Sequence, residues 1–127
     1  NIIADDYGNA IGIIDFGDMA YSYIASEPAI AMAYVSIDSK DPFLDMASVL
    51  KGFHKFYKLS DAELCFTIYL VCLRLSISVT MSSYRSGLFP DNKYLTISEN
   101  HAWNFLKKMQ NENLEDWGDR LLNYAKS

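Results

Sequence analysis

The sequence predicts a mainly helical domain with one short β-hairpin at its N-terminus. Three observations carry that expectation. The opening stretch NIIADDYGNAIGIIDFGD sets two β-branched runs on either side of a cluster of turn formers. After the hairpin, apolar residues recur at helical spacing and no alternating run returns. The helical stretches also begin at recognisable start signals: Ser26-Glu27-Pro28, Asp41-Pro42 and Ser60-Asp61-Ala62-Glu63.

The hairpin comes first. Ile2-Ile3-Ala4 and Ala10-Ile11-Gly12-Ile13-Ile14 read as its strands and Asp5-Asp6-Tyr7-Gly8-Asn9 as its turn. Folding about Gly8 is expected to pair residues 2–4 with about 11–14 and to set Asn1 opposite Asp15. Directly opposed residues sit roughly 4.5–5.5 Å apart at Cα, so an amide oxygen and a carboxylate would converge at the open end. Ser26 then reads as N-cap of a helix over about 26–37, apolar almost all round and so expected to be deeply buried. A second helix, about 42–57, carries Phe43, Met46, Leu50, Phe53 and Phe56/Tyr57 on one face. The capping box from Ser60 to Glu63 begins the longest helix, about 61–86, stopped by Gly87 and Pro90. Two amphipathic helices, about 98–110 and 114–126, complete the series. No repeat, linker or low-complexity segment interrupts it.

At 127 residues this is one domain or a piece of one, and half of its residues are hydrophobic, enough for a sizeable core. A net charge of −5 with no cluster of Lys and Arg argues against a nucleic-acid or anionic-membrane binder. The N-terminus has no basic region and Asp5 and Asp6 interrupt its apolar runs, so no signal peptide is expected there. Cys65 and Cys72 lie seven residues apart on one helix, roughly 10 Å, too far for a disulfide. They read as small buried hydrophobes in a reducing compartment, which favours the cytoplasm.

The run LCFTIYLVCLRLSISV in the longest helix has membrane-like hydropathy. Arg74 sits in its middle, and a charge at mid-bilayer costs about 2.5–3.5 kcal/mol even on a lenient scale, so a central core helix is the expectation. A cation buried there needs a partner, either an acid such as Glu27 or a substrate carboxylate. His54 and His101 have no helix-spaced ligand neighbours and read as structural. Trp103 and Trp117 lie on amphipathic faces and read as core.

The acidic opening does not fit an EF-hand. A loop starting at Asp5 puts Ala10 where glycine is needed and Phe16 where the bidentate Glu belongs. Asp15-Phe16-Gly17 says more. It follows the apolar strand 11–14, and a carboxylate at a strand end before a glycine that turns the chain is how phosphoryl-transfer enzymes hold magnesium. On residue chemistry alone, Asp15 as a simple cap of the following turn is an equal alternative.

The run N-I-I-A-D-D-Y-G-N-A-I-G-I-I-D-F-G-D-M resembles the centre of the aminoglycoside phosphotransferase-like kinases, which share the protein-kinase fold. The stretches S-E-P-A-I-A-M-A-Y and R-S-G-L-F-P-D-N-K-Y-L-T-I-S-E-N-H-A-W are most similar to the hydroxylysine-kinase-like branch. The resemblance implies that Asn1 is the terminal Asn of the catalytic loop, Asp15 the magnesium ligand, and Glu27 a buried acid bracing that loop. It suggests Asp18 as an acidic group facing a cationic substrate, with a solvated loop residue as the equal alternative. It also implies a His-Gly-Asp base, a Gly-rich loop and a phosphate-binding Lys, none of which falls in residues 1–127.

The expectation is therefore the C-terminal part of a protein-kinase-like C-lobe, a single partial domain with its metal hairpin in 1–18 and helices over 24–127. Through the resemblance, the intact protein is expected to be a small-molecule kinase. It would use Mg2+ and ATP or GTP to phosphorylate a hydroxyl of a small amino compound. The 127 residues alone are expected to be inactive and to self-associate through the apolar faces of the helices at 26–37 and from 61. The competing expectation is a non-catalytic helical interaction module on the same fold.

Overall fold

The computed structural model describes residues 1–17, 19–89 and 99–127. Its elements in chain order are β1 (Ile2–Ala4), β2 (Ala10–Ile13), α1 (Ser26–Ser36), α2 (Pro42–Phe56), α3 (Asp61–Leu88), α4 (Glu99–Met109) and α5 (Leu114–Lys126). The substrate role expected of Asp18, the helix stop at Pro90 and the helix start at Ser98 lie outside the described residues.

The hairpin forms as an antiparallel pair, but its register differs from the expected one. Asp5 and Asn9 close a three-residue tip through Asp5 N–H to the Asn9 carbonyl (2.9 Å) and Gly8 N–H to the Asp5 carbonyl (3.0 Å). Gly8 takes φ +83°, the left-handed geometry such tips require. The Asp5 carboxylate accepts from the Tyr7 and Asn9 backbone N–H groups and from Asn9 Nδ2, at 3.0, 2.8 and 2.9 Å. Those donors, the Asn9 side chain foremost, hold its carboxyl below the usual range. From this tip Ala4 pairs with Ala10, Ile11 bulges out, and Ile3 and Ile2 pair with Gly12 and Ile13. Asn1 therefore faces Ile14 and not Asp15, with Ile14 N–H on the Asn1 carbonyl at 3.0 Å. The tip is centred short of Gly8, and the bulge recovers only part of the offset.

The helical body is organised by α3, which packs against α1, α4 and α5, while α2 packs against α1 and α5. Its core is Ala29, Met32, Met46, Leu50, Leu64, Ile68, Val71, Phe105, Trp117 and Leu121, all buried. The helix boundaries follow from local chemistry. Asp41 Oδ1 caps α2 at Leu44 N–H (3.1 Å), and the Ser60–Glu63 capping box opens α3 as expected. Asn113 Oδ1 accepts from the Glu115 and Asp116 N–H groups and caps α5. Ser26, however, is the first helical residue of α1 and not its N-cap. A turn before it already satisfies the free donors, Ser26 N–H on the Tyr23 carbonyl (3.0 Å) and Glu27 N–H on the Ile24 carbonyl (3.1 Å), so no side-chain cap is needed.

Burial corrects three expectations and helix length a fourth. Phe56 is 89% exposed and Tyr57 half-exposed, because α2 ends there and its buried face turns through Met46, Ala47, Leu50 and His54. Trp117 is buried, but Trp103 is 44% exposed. The longest helix runs through Gly87 to Leu88. Neither α1 nor α3 is covered all round. Each buries one face, and only a third of the most apolar window of α3 is buried. By length and composition alone, α3 would be able to cross a membrane. Both histidines take up local partners. His54 Nδ1 accepts from Leu59 N–H at 3.2 Å and fixes the α2–α3 turn, and His101 pairs with Asp38 on the surface.

Candidate metal centre

The last rung of the hairpin sets Asn1 against Ile14, the residue before Asp15. Asn1 is held there by its own carbonyl, and Asp15 follows Ile14 directly. At Asp15 the chain leaves the sheet with φ +66°, the only non-glycine residue with positive φ among those described. An L-residue there costs roughly 1–2 kcal/mol, less for Asp than for most, and such geometry persists where a site requires it. Gly17 follows, and a Cβ built on it would lie 3.8 Å from Asp15 Oδ1, so the carboxylate leans back over the turn.

Among the described residues, neither the Asp15 carboxylate nor the Asn1 amide has a hydrogen-bond partner. Asp15 is therefore not acting as a cap of the following turn, the alternative the sequence left open. Both residues are exposed. Two oxygen ligands with free lone pairs suit a hard cation, which would fill its remaining positions with water or phosphate oxygens. No group of three His, Cys, Asp or Glu side chains among the described residues could hold a metal without such help.

The other expected residues lie on the helical body. Glu27 is exposed in the first turn of α1, where the helix dipole favours a carboxylate, and it is not the buried acid the resemblance implies. Arg74 does not pair with Glu27. Its Nη2 donates to the Tyr34 hydroxyl at 2.8 Å, its guanidinium carbon lies 5.7 Å from the centre of that ring, and its Nε is buried without a partner. Tyr34 was not singled out from sequence. The signal available was that a half-buried arginine on α3 must find some acceptor on a neighbouring helix. Cys65 and Cys72 are free thiols and only partly buried, not the buried hydrophobes expected, because each sits at the edge of the core face of α3; what burial they have pushes both up in pKa, Cys65 also through the Asp119 carboxylate.

No protein-family model matches the chain, and no solved structure matches it. Three curated proteins similar to it are named hydroxylysine kinase. The Mus musculus protein is 38% identical over 99 residues, covering 77% of this chain and 26% of that protein. The Bos taurus protein is 36% identical over 108 residues, 81% and 29%. The Xenopus laevis protein is 37% identical over 99 residues, 77% and 26%. The chain thus spans less than a third of the length of these relatives.

Proposed function

Taking as premise that this chain is a sequence relative of the hydroxylysine kinases over about four-fifths of its length, we propose that it is the metal-holding segment of a small-molecule kinase. The reaction would move the γ-phosphoryl group of ATP or GTP to a hydroxyl of a small amino compound, the class to which hydroxylysine belongs. The observation that carries the reading is Asp15, an unpaired carboxylate in left-handed geometry one residue beyond the rung that holds Asn1.

Asp15 would take Mg2+ through its carboxylate and Asn1 through its amide oxygen. Bound there, the ion would neutralise the charge that develops on the transferring phosphoryl. The protein's part is to hold the two oxygens in place before the nucleotide arrives. The ladder bond from Ile14 to Asn1 fixes one, and the turn at Asp15 fixes the other. Asp18 would face the amino end of the substrate. The base that orients the hydroxyl and the loop that holds the nucleotide phosphates match nothing in residues 1–127, so no turnover is expected of these residues alone. The two free thiols suit a cytoplasmic setting.

The exposed apolar face of α3 favours the second reading, a helical interaction module. A scaffold has no use for a strained carboxylate without a partner, which makes the kinase reading the better one. Titrating the chain with Mn2+ in place of Mg2+ tests it by NMR. Broadening should centre on Asn1, Ile14 and Asp15 with about millimolar affinity, as two ligands without phosphates allow, and Asp15→Ala should abolish it. Broadening centred elsewhere, or unchanged in the variant, refutes the assignment.

A further inference from the structure

On α4, His101, Asn104 and Lys108 follow one another at steps of three and four, so they share one face. That face lines a cleft against the turn between α1 and α2, which contributes Lys40 from the opposite side. The cleft holds about 220 Å³ and has the buried Phe105 and the half-buried Ile37 as its apolar wall. That volume is roughly seven waters' worth, too little for a nucleotide and enough for a small organic molecule.

The charges around the cleft are unevenly satisfied. No carboxylate lines it, and the three acids of the adjoining turn are already engaged. Asp38 pairs with His101 Nδ1, Asp41 Oδ1 accepts from Leu44 N–H, and Asp45 Oδ2 accepts from the Ser39 hydroxyl. Among the described residues, neither Lys40 nor Lys108 has an ion-pair partner, and the Asn104 amide has no hydrogen bond. The hold of Asp38 on Nδ1 fixes the imidazole and leaves Nε2 as its free nitrogen. Two ammonium groups, an amide and an imidazole from two separate elements thus border one small cleft in a chain of net charge −5.

We infer that this cleft binds a small phosphomonoester. Lys40 and Lys108 would take the doubly charged head, whose three oxygens also accept from the Asn104 amide. The organic body would lie on Phe105 and Ile37. The site stands apart from the metal centre, at the end of α1 about 15 Å along that helix from the residues that follow the hairpin.

Phenyl phosphate is the probe, titrated into the 15N-labelled 127-residue chain with EDTA present and ionic strength held constant with NaCl. Amide shifts should centre on Lys40, His101, Asn104 and Lys108 and saturate with about millimolar affinity. Lys108→Gln should weaken binding about fivefold or more. Lys107→Gln removes the same charge one residue away, outside the cleft, and should change affinity less than about twofold. Both side chains are exposed, so both variants should melt like the parent. Asp15→Ala should leave binding unchanged, which separates this site from the metal assignment. Equal losses in the two lysine variants, shifts scattered over every lysine, or absence of saturation would each overturn the inference. Glutarate binding as tightly as phenyl phosphate would overturn the assignment of the head.

Discussion

Replacing Gly118 by alanine probes how closely α5 lies on α3. A Cβ built at Gly118 meets the Cys65 carbonyl oxygen at 2.7 Å and the Cys65 Cα at 3.3 Å, both backbone atoms that cannot swing aside. Ordinary contact begins at 3.4 Å, so the two helices must part by roughly 0.7 Å at a crossing flanked by Trp117, Leu121, Leu64 and Ile68, all buried. Overpacking of this kind costs about 1–3 kcal/mol, while alanine in place of glycine within a helix returns about 1 kcal/mol. Because the clashing atoms are backbone, the cost falls at about 2–3 kcal/mol and the expected net loss is about 1–2 kcal/mol. For a chain of this size that lowers Tm by roughly 3–10 °C. Gly52, in the middle of α2, is the control, because a Cβ there meets nothing within 4 Å. Gly52→Ala should gain about 0.5–1 kcal/mol and raise Tm by a few degrees. Urea and thermal unfolding by circular dichroism read both variants. Equal signs for the two, or a neutral Gly118→Ala, would refute the close backbone crossing.

Two further outcomes follow from the titrating groups. The Ser60 hydroxyl and N–H hold the Glu63 carboxyl below its ordinary value of 4.5, so the capping box contributes fully above that value and is lost as pH falls through the lower folded one. Amide protection over the first turn of α3 should therefore drop between neutral pH and about pH 3, and protection that holds steady would show the carboxylate is not in the cap. With both thiols pushed up in pKa, Cys65 and Cys72 should react with iodoacetamide several-fold more slowly than a free thiol at about pH 8. Rapid labelling at either position would contradict the burial described for it.

The sequence announced what is written in local chemistry. The turn formers between Asp5 and Asn9 produced a hairpin, Asp41 and Ser60 capped the helices they precede, and Asp15 stood out as a carboxylate at a strand end just ahead of a glycine. Other features depended on groups distant in sequence. The register hung on where a three-residue tip closed and on a bulge at Ile11, neither of which periodicity encodes. The cap at Ser26 was displaced because carbonyls at Tyr23 and Ile24 took the donors first. Composition made α1 and α3 look buried on every side, but composition cannot count the neighbours available to cover them. The hydroxyl of Tyr34 met Arg74 through helix packing, forty positions away in sequence.

The bulge at Ile11 also acts as an indexing device for the hairpin mouth. With the tip fixed by Asp5 and Asn9, an unbroken ladder would seat Asn1 against Ile13 and leave Asp15 two residues beyond the last rung. The extra residue advances the second strand by one step, so the ladder ends on Ile14 and the carboxylate emerges immediately after it. Residue chemistry at Asn1 and Asp15 can therefore be perfectly intact while the pair is out of step. Drawing Ile11 into an unbroken ladder would leave both residues unchanged in kind but set them one step further apart. The spacing of the candidate ligands is set ten residues from Asn1, by a position that touches neither of them.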